Sequence, residues 1–370
     1  LQPIALFEII QYFGLSNQWK HVYDRCMQDK EITIYDLAEK LNISATTVSR
    51  GLQDHPAINK KTKKRIFDLA AELGYRSNKF ASNLRKQKTH TIGVIVPRLN
   101  SLFMSSVLSG IEKIANNAGY NLIISQSFEQ EAKEKTNTTT MFNSRVDGLI
   151  VSLASDTQDY SHFDTFIKKN IPVIFFDRIA EQITTTKVLI DNLKAGYLAT
   201  QHLIQQGCKE ILHITGNIAR NVYQDRFEGY KKALADHNIP YRPDLFITND
   251  LTEQAIQDVI QNDILKRDKL PDGLFITNDS SAAFALTIFK EAGLKVPEDI
   301  AIVGFNNDLI SRVTEPAITT INYPGNEMGE SIARILVNHL DGESDLSFTS
   351  TVILNTELIV RASSQRKQNS

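Results

Sequence analysis

The chain has 370 residues, 42% of them apolar and 23% charged, with a formal net charge of −2. That length suggests two or three domains, and the balance of apolar and charged residues excludes a disordered chain. No apolar run is long enough to span a membrane, and two cysteines, Cys26 and Cys208, are too few for a disulfide framework or a zinc site. The composition fits a globular protein of the reducing cytoplasm.

Charge is unevenly spread. Between Met27 and His90, 13 Lys and Arg face 7 Asp and Glu, a net charge of about +6, while the chain beyond carries about −8. A basic head on an acidic body points to an anionic partner for the head alone. Residues 1–26 are read as an upstream extension, with Met27 the natural start. Their apolar residues at 4–7 follow no basic segment and run into Glu8, which makes a poor signal peptide. The alternative is a short helix packed on the head.

In the head, expected over 27–75, Ile34, Leu37, Ala38 and Leu41 recur at helical spacing. Thr33 precedes them with Asp36 three residues on, the signature of a capped helix start. Asn42-Ile43 breaks this helix, and Ser44 starts a second over 45–52. A third follows Asn59, with Ile66, Leu69, Ala70 and Leu73 as its buried stripe and Gly74 as its stop. Two short helices, a tight turn and a bracing third helix form a helix-turn-helix domain. The second helix is polar outside, with Thr46, Thr47, Ser49 and Arg50. Arginine can donate two bonds to guanine, and hydroxyls can bond phosphates or base edges. On these residues alone, a capped helix with a solvated face stands as the alternative.

The ordered set Thr33-Ile34-Tyr35-Asp36-Leu37-Ala38, Thr47-Val48-Ser49-Arg50, Lys64-Arg65-Ile66 and Leu73-Gly74-Tyr75 resembles the head of the LacI/GalR family of repressors. The resemblance implies that Thr33 and Tyr35 hold the DNA backbone. It sets Ala45, Thr46 and Arg50 against bases, with Ser44, Thr47, Ser49 and Thr62 near phosphates. Residues 76–89 resemble the family's hinge, which folds as a helix when paired on DNA. In such a hinge Leu84 would wedge into the minor groove, with Arg85 and Lys86 on the backbone and Asn78 in the DNA-contacting set; plain core packing is the alternative for Leu84. Ser77 stands where family hinges often carry proline, so this hinge has more entropy to lose on ordering.

The body, expected over 90–363, alternates apolar runs with helical patterns. The runs at 91–96, 121–125, 147–152, 172–176, 210–215, 273–277 and 300–304 read as strands. The stretches 105–117, 194–206, 223–237 and 282–292 read as helices. Near-continuous apolar strands between helices mean parallel sheets covered on both faces, and about 270 residues of this pattern suggest two Rossmann-like lobes of an α/β fold. The phrases Pro172-Val173-Ile174-Phe175-Phe176-Asp177, Asp225-Arg226-Phe227-Glu228-Gly229-Tyr230, Thr277-Asn278-Asp279 and Val303-Gly304-Phe305 again resemble the family. Such bodies are similar to periplasmic sugar-binding proteins. Lobe crossings are expected near 188–192, 320 and 345, and a disordered polar tail over 364–370.

Sugars need planar polar groups for their hydroxyls and a ring face for their CH patches. Strand ends and family positions single out Arg226 and Asp279 as a donor and acceptor pair, with a structural salt bridge as the alternative. Asn278 and Asn306 join them from one lobe, and Asn100, Phe103, Ser152 and Arg178 from the other. Phe103 or Phe305 would supply the ring face unless both are core. Asn306-Asn307-Asp308 departs from the more acidic run usual after this glycine. The resemblance implies a homodimeric regulator, in most cases a repressor, that binds a double-stranded palindromic operator and is switched by a small sugar-like effector. A periplasmic binding protein would not need the basic head. An enzyme finds no support either: no Walker-type phosphate loop or GxSxG motif occurs, and the eight histidines lack metal-ligand spacing. No cofactor is expected.

Overall fold

The computed structural model describes residues 32–75, 88–346 and 350–366. The expected extension at 1–26 and the hinge positions Asn78, Leu84 and Arg85 lie outside the described residues. The chain divides into two units, Leu1–Gln87 and Lys88–Ser370.

Among the described residues of the first unit, three helices follow from their caps. Helix α1 (Ile34–Leu41) starts in a complete capping box: the Thr33 amide donates to Asp36 Oδ2 at 2.7 Å, and the Asp36 amide donates to Thr33 Oγ1 at 3.4 Å. Asn42 closes it in the left-handed conformation at φ 53°. Helix α2 (Ala45–Leu52) is capped by Ser44, and α3 (Lys60–Glu72) by Asn59, whose Oδ1 accepts from the Thr62 amide at 2.8 Å. Leu37, Ala38, Val48, Ile66 and Ala70 form the small core between them. The helices were legible at nearly these limits in the sequence.

The second unit is a two-lobed α/β body. One six-stranded sheet holds β1 (Thr91–Val96), β2 (Asn121–Gln126), β3 (Gly148–Val151), β4 (Val173–Phe176), β5 (Thr186–Ile190) and β11 (Thr351–Leu354). Its order is β11-β5-β4-β3-β1-β2 and every pairing is parallel. The other holds β6 (Ile211–Thr215), β7 (Phe246–Thr248), β8 (Gly273–Ile276), β9 (Ala301–Asn306), β10 (Thr319–Asn322) and β12 (Leu358–Ile359). Its order is β12-β10-β9-β8-β6-β7, parallel except for β12 against β10. The central strands are buried throughout, as parallel strands covered on both faces must be.

The covering helices are α4 (Leu102–Asn117), α5 (Glu131–Asn143), α6 (Asp164–Lys168), α7 (Asn192–Gln205), α8 (Asn221–Asp236), α9 (Glu253–Asn262), α10 (Asp279–Glu291), α11 (Ile310–Val313) and α12 (Gly325–Leu340). Helices α7 and α8 touch backbone to backbone. A Cβ on Gly196 would stand 2.2 Å from the Arg226 carbonyl oxygen, and one on Gly229 2.1 Å from that of Leu193. This close approach fixes where Arg226 leaves its helix.

The chain passes between the lobes after β5, after β10, and between β11 and β12. The first two crossings lie near the positions expected. The third falls at residues 355–357 rather than near 345, because β11 still belongs to the first sheet. The tail also departs from expectation over 364–366. Ser363 and Ser364 are fully buried. Ser364 Oγ lies 2.7 Å from His202 Nε2 and 2.6 Å from Thr319 Oγ1, and the Arg366 Nε donates to the Pro297 carbonyl at 2.9 Å. Small hydroxyls with satisfied hydrogen bonds can be buried where a polar run read alone suggests solvent.

Candidate effector cleft and DNA-reading head

On α2, Val48 and Gly51 turn into the core, which leaves Thr46 and Arg50 exposed one turn apart. No hydrogen bond or ion pair holds the Arg50 guanidinium among the described residues. Ala45, Thr47, Ser49 and Thr62 are half-buried. Thr33 and Ser44 are exposed but committed in part to their helices: Thr33 Oγ1 donates to Asp36 at 2.6 Å, and Ser44 Oγ lies 2.8 Å from Thr47 Oγ1. Tyr35 is 73% exposed. The first turn of α3 carries Lys60, Lys61 and Lys63 and no acid, followed by Lys64 and Arg65. Of these only Lys63 has an ion-pair partner among the described residues, Asp54 at 2.6 Å.

In the body, the C-terminal ends of both sheets face a cleft of about 570 Å³, the place where ligands sit in folds of this kind. The first lobe supplies Asn100, Phe103, Glu129, Asp177 and Arg178 to its lining, and the second Asn217, Tyr223, Arg226, Asn249, Asn278, Asn306 and Asp308. Tyr323, from the second crossing, lies between them.

Arg178 follows β4 and is almost wholly buried. Its Nη1 donates to Glu129 Oε2 at 2.6 Å, and its Nη2 donates across the cleft to the Tyr223 hydroxyl at 3.0 Å. Arg98 Nε reaches the other Glu129 oxygen at 3.2 Å. Burial opposes charge on Glu129, but the guanidinia of Arg178 and Arg98 outweigh it and hold the carboxyl below its usual range. Asp177 sits in the left-handed conformation at φ 57°. It accepts from the Tyr323 hydroxyl at 2.8 Å, and burial raises its carboxyl against the pull of Arg178 and Arg226.

Arg226 is 3% exposed, and no carboxylate lies within ion-pair distance of it among the described residues. Its Nε donates to Asn192 Oδ1 at 2.9 Å and its Nη1 to the Thr277 carbonyl at 3.4 Å, while its guanidinium carbon lies over the Phe305 ring, 3.6 Å from the ring centre. Burial holds its pKa below the ordinary value. A buried cation satisfied by neutral acceptors and a ring keeps donor capacity for whatever enters the cleft.

Several expected contacts stand elsewhere. Asp279 neither pairs with Arg226 nor lines the cleft. As the first residue of α10 it turns under the helix, fully buried, where it accepts from Thr320 Oγ1 at 2.7 Å and the Asp308 amide at 2.8 Å. Ser152 is buried beneath the cleft and donates to Asp177 at 3.3 Å. Phe305 is core, capped by Arg226; Phe103 does line the cleft, nearly buried and stacked on Tyr323 at 4.1 Å. Asn100, Arg178, Arg226, Asn278 and Asn306 do line it. Asn278 also caps α10, and Asn306 Nδ2 donates to Asp308 at 3.3 Å. The sequence reading missed Glu129, Tyr223, Asn217 and Asn249, and it discounted Asp308, which lines the cleft. Tyr223 had a signal: it lies three residues before Arg226 on α8, on the same helical face.

Further hydrogen bonds join the lobes beside the cleft. Asn217 donates to the Ser155 carbonyl at 2.9 Å, Arg220 to that of Thr157 at 2.7 Å, and Asn221 to that of Asp177 at 2.9 Å. Among the described residues no cluster of His, Cys, Asp and Glu could hold a metal ion, and no helix is long and apolar enough to cross a membrane.

Comparison with known proteins agrees with this architecture. A profile of bacterial regulatory proteins of the lacI family matches residues 33–78, and one of periplasmic binding protein-like domains matches residues 200–364. Catabolite control protein A of Priestia megaterium is 30% identical over 314 residues, 85% of this chain and 94% of its own. The HTH-type transcriptional repressor CytR of Escherichia coli (strain K12) is 31% identical over 341 residues, 91% of this chain and 98% of its own. Among solved structures, a periplasmic binding protein/LacI transcriptional regulator from Alkaliphilus metalliredigens QYMF, complexed with D-xylulofuranose, matches with a TM-score of 0.62 and 27% identity, over 75% of this chain and all of that one. With a helix-turn-helix head, a two-lobed body and relatives that match along most of their length, this chain belongs to the lacI family of DNA-binding transcription regulators.

Proposed function

We propose that the protein is a cytoplasmic repressor that binds a palindromic operator as a homodimer and is switched by a small, sugar-like effector in the inter-lobe cleft. The observation that carries the reading is the pairing, on one chain, of an unengaged Arg50 on an exposed helix face with a polar cleft to which both lobes contribute. Arg50 has the reach and the two donors for a guanine edge, whereas Thr46 and Ala45 can offer one hydroxyl and one methyl. Tyr35, Thr33 and Ser44 stand exposed for the backbone, with Thr47, Ser49 and Thr62 in support. One head of this size buries too little surface for tight specific binding, so two are needed, and their spacing sets the half-site separation.

The switch follows from linkage. The cleft closes through hydrogen bonds between the lobes, from Arg178 to Tyr223 and from Asn217, Arg220 and Asn221 to the first lobe's carbonyls. A ligand held by Arg226, Arg178, Asn100, Asn278 and Asn306 favours one lobe arrangement over the other. It shifts DNA affinity by its differential affinity for the two. The protein works by binding rather than by catalysis and needs no cofactor for it.

The test is selection of bound duplexes from a random pool by the purified protein, with and without a mixture of sugars, repeated with Arg50→Ala. An enriched palindrome, lost in the variant while nonspecific binding persists, is the expected result. Failure to enrich any sequence under either condition overturns the reading.

A further inference from the structure

The chain enters the body through a stretch held more firmly than the start of a strand requires. Strand β1 begins at Thr91, and its ladders to β2 and β3 start at Thr91 and Ile92. Lys88, Thr89 and His90 lie outside both ladders, yet each is tied down by a different part of the fold. The Lys88 ammonium donates to the Leu340 carbonyl at the end of α12. The Thr89 amide donates to both oxygens of Asp147, at 2.8 Å and 3.1 Å, and the Thr89 hydroxyl donates to the Arg145 carbonyl at 2.8 Å. The His90 carbonyl accepts from the Asn121 amide at 2.8 Å, at the start of β2.

The path so imposed is not a relaxed one. His90 stands at φ 50°, in the left-handed region that a residue with a Cβ enters only when its surroundings require it. Its ring lies 5.3 Å from that of Tyr120, whose hydroxyl donates to Asp341 at 2.9 Å, one residue beyond the end of α12. Asp147 is the centre of this clamp. It belongs to the turn between α5 and β3, and a carboxylate that grips a backbone amide with both oxygens fixes direction as well as distance. Its own amide donates to the Thr91 carbonyl at 2.7 Å, so the backbone of 89–91 is bound to residue 147 at two points.

We propose that Asp147 is a positioning residue for DNA binding. By clamping Thr89 it fixes the direction in which the chain leaves the body towards the head, and so the separation at which two heads meet their half-sites. It does this without touching DNA. The proposal rests on the repressor reading above and adds to it a residue that belongs neither to the reading helix nor to the cleft lining. One inserted base pair displaces a half-site by ~3.4 Å and turns it by about 35°. A firmly held exit tolerates that displacement poorly, whereas a loose one absorbs it. Because β1 keeps its ladders without the Asp147 side chain, loss of the clamp frees the exit and leaves the fold.

The experiment uses the full chain as parent, Asp147→Ala and Asp147→Asn. Trypsin cleavage after Lys88 is followed through the mass of the body fragment that begins at Thr89. It should run about tenfold faster in Asp147→Ala, because the bond lies inside the clamp, and near the parent's rate in Asp147→Asn, whose amide oxygen still accepts from Thr89. Binding is then measured to the operator that the parent selects, to the same operator with one base pair inserted at its centre, and to a random duplex. The parent should prefer the first over the second. Asp147→Ala should lose about fivefold of that preference with binding to the random duplex unchanged, and Asp147→Asn should restore it. Thermal midpoints show whether each variant folds. Thr89→Val, which removes the hydroxyl contact and keeps the amide, carries both readouts by the same criteria if Asp147→Ala does not fold. Unchanged cleavage overturns the clamp. Faster cleavage with the spacing preference intact leaves Asp147 a structural residue and overturns the proposal, while the repressor reading stands. A parent that selects no operator overturns the repressor reading and the proposal with it.

Discussion

Replacing Asp279 by asparagine should make the protein less sensitive to pH and more stable under alkaline conditions. The carboxyl is fully buried at the start of α10. Burial is the main cause that pushes its pKa up to about 7, aided by the nearby Asp308 carboxyl and resisted by the hydrogen bond from Thr320. The unfolded chain releases this proton near the ordinary value of 3.8, so between about pH 4 and pH 7 the folded state binds the extra proton. Its stabilising effect is complete below that interval and lost as pH rises through it. Each pH unit is worth ~1.4 kcal/mol, so ionising Asp279 in place costs ~4 kcal/mol at most. An asparagine can keep both contacts, accepting from the Asp308 amide and donating to Thr320 Oγ1, without a charge. Urea denaturation of parent and variant at about pH 4.5 and pH 8.5 is the assay. The stability difference should move in the variant's favour by ~3 kcal/mol between the two. Because it is a difference, the other raised carboxyls, Asp177 and Asp308, cancel to first order. An equal difference at both pH values, or a larger loss at the higher one, would show that Thr320 and the Asp308 amide hold a stable anion, and the reasoning would fail.

Gly196→Ala should lower stability by ~2–3 kcal/mol, because its methyl meets the Arg226 carbonyl at 2.2 Å and backbone cannot yield as a side chain can. A thermal midpoint within a degree of the parent's would contradict this, since the expected fall is about 5–10 °C. Lys60 and Lys61 occupy the positive end of the α3 dipole, a placement that costs the free protein and suits a protein bound to phosphates. Lys60→Gln with Lys61→Gln should reduce the salt slope of DNA binding by ~1.8 without changing the preferred sequence, and an unaltered slope would remove both from the interface.

Much of this molecule could be read from its residues because local signals agree with the global arrangement. The capped helix starts at Thr33, Ser44 and Asn59 are chemical statements about backbone amides, and all three stand where expected. The central strands are uninterrupted apolar runs and were equally plain. The strands β5, β7, β10, β11 and β12 were not. Thr319 and Thr320 are fully buried yet polar, and β11 alternates exposed and half-buried residues at a sheet edge. The same limit explains the cleft. A strand end tells which residues are near the ligand, not where their side chains point. Asn278 and Asp279 are adjacent, yet the first lines the cleft and the second turns beneath α10 into the core. Glu129 escaped notice because nothing local marks it. Its role comes from Arg98 and Arg178, which lie 31 and 49 residues away in sequence.

The three passages between lobes bear on how such a protein can be rearranged. Neither lobe is one continuous stretch of chain: the first sheet takes its edge strand from 351–354, and the second is completed by 358–359 and sealed by Ser363 and Ser364. A cut placed between β5 and α7 would leave both fragments with unpaired sheet edges and uncovered apolar faces. Recombination that exchanges one lobe for a relative's would need three coordinated joints to succeed. The three-helix head is a single run of sequence and can be exchanged at one. Diversification by module swapping is therefore open to the DNA-reading end, whereas ligand preference must change by substitution within an intact body.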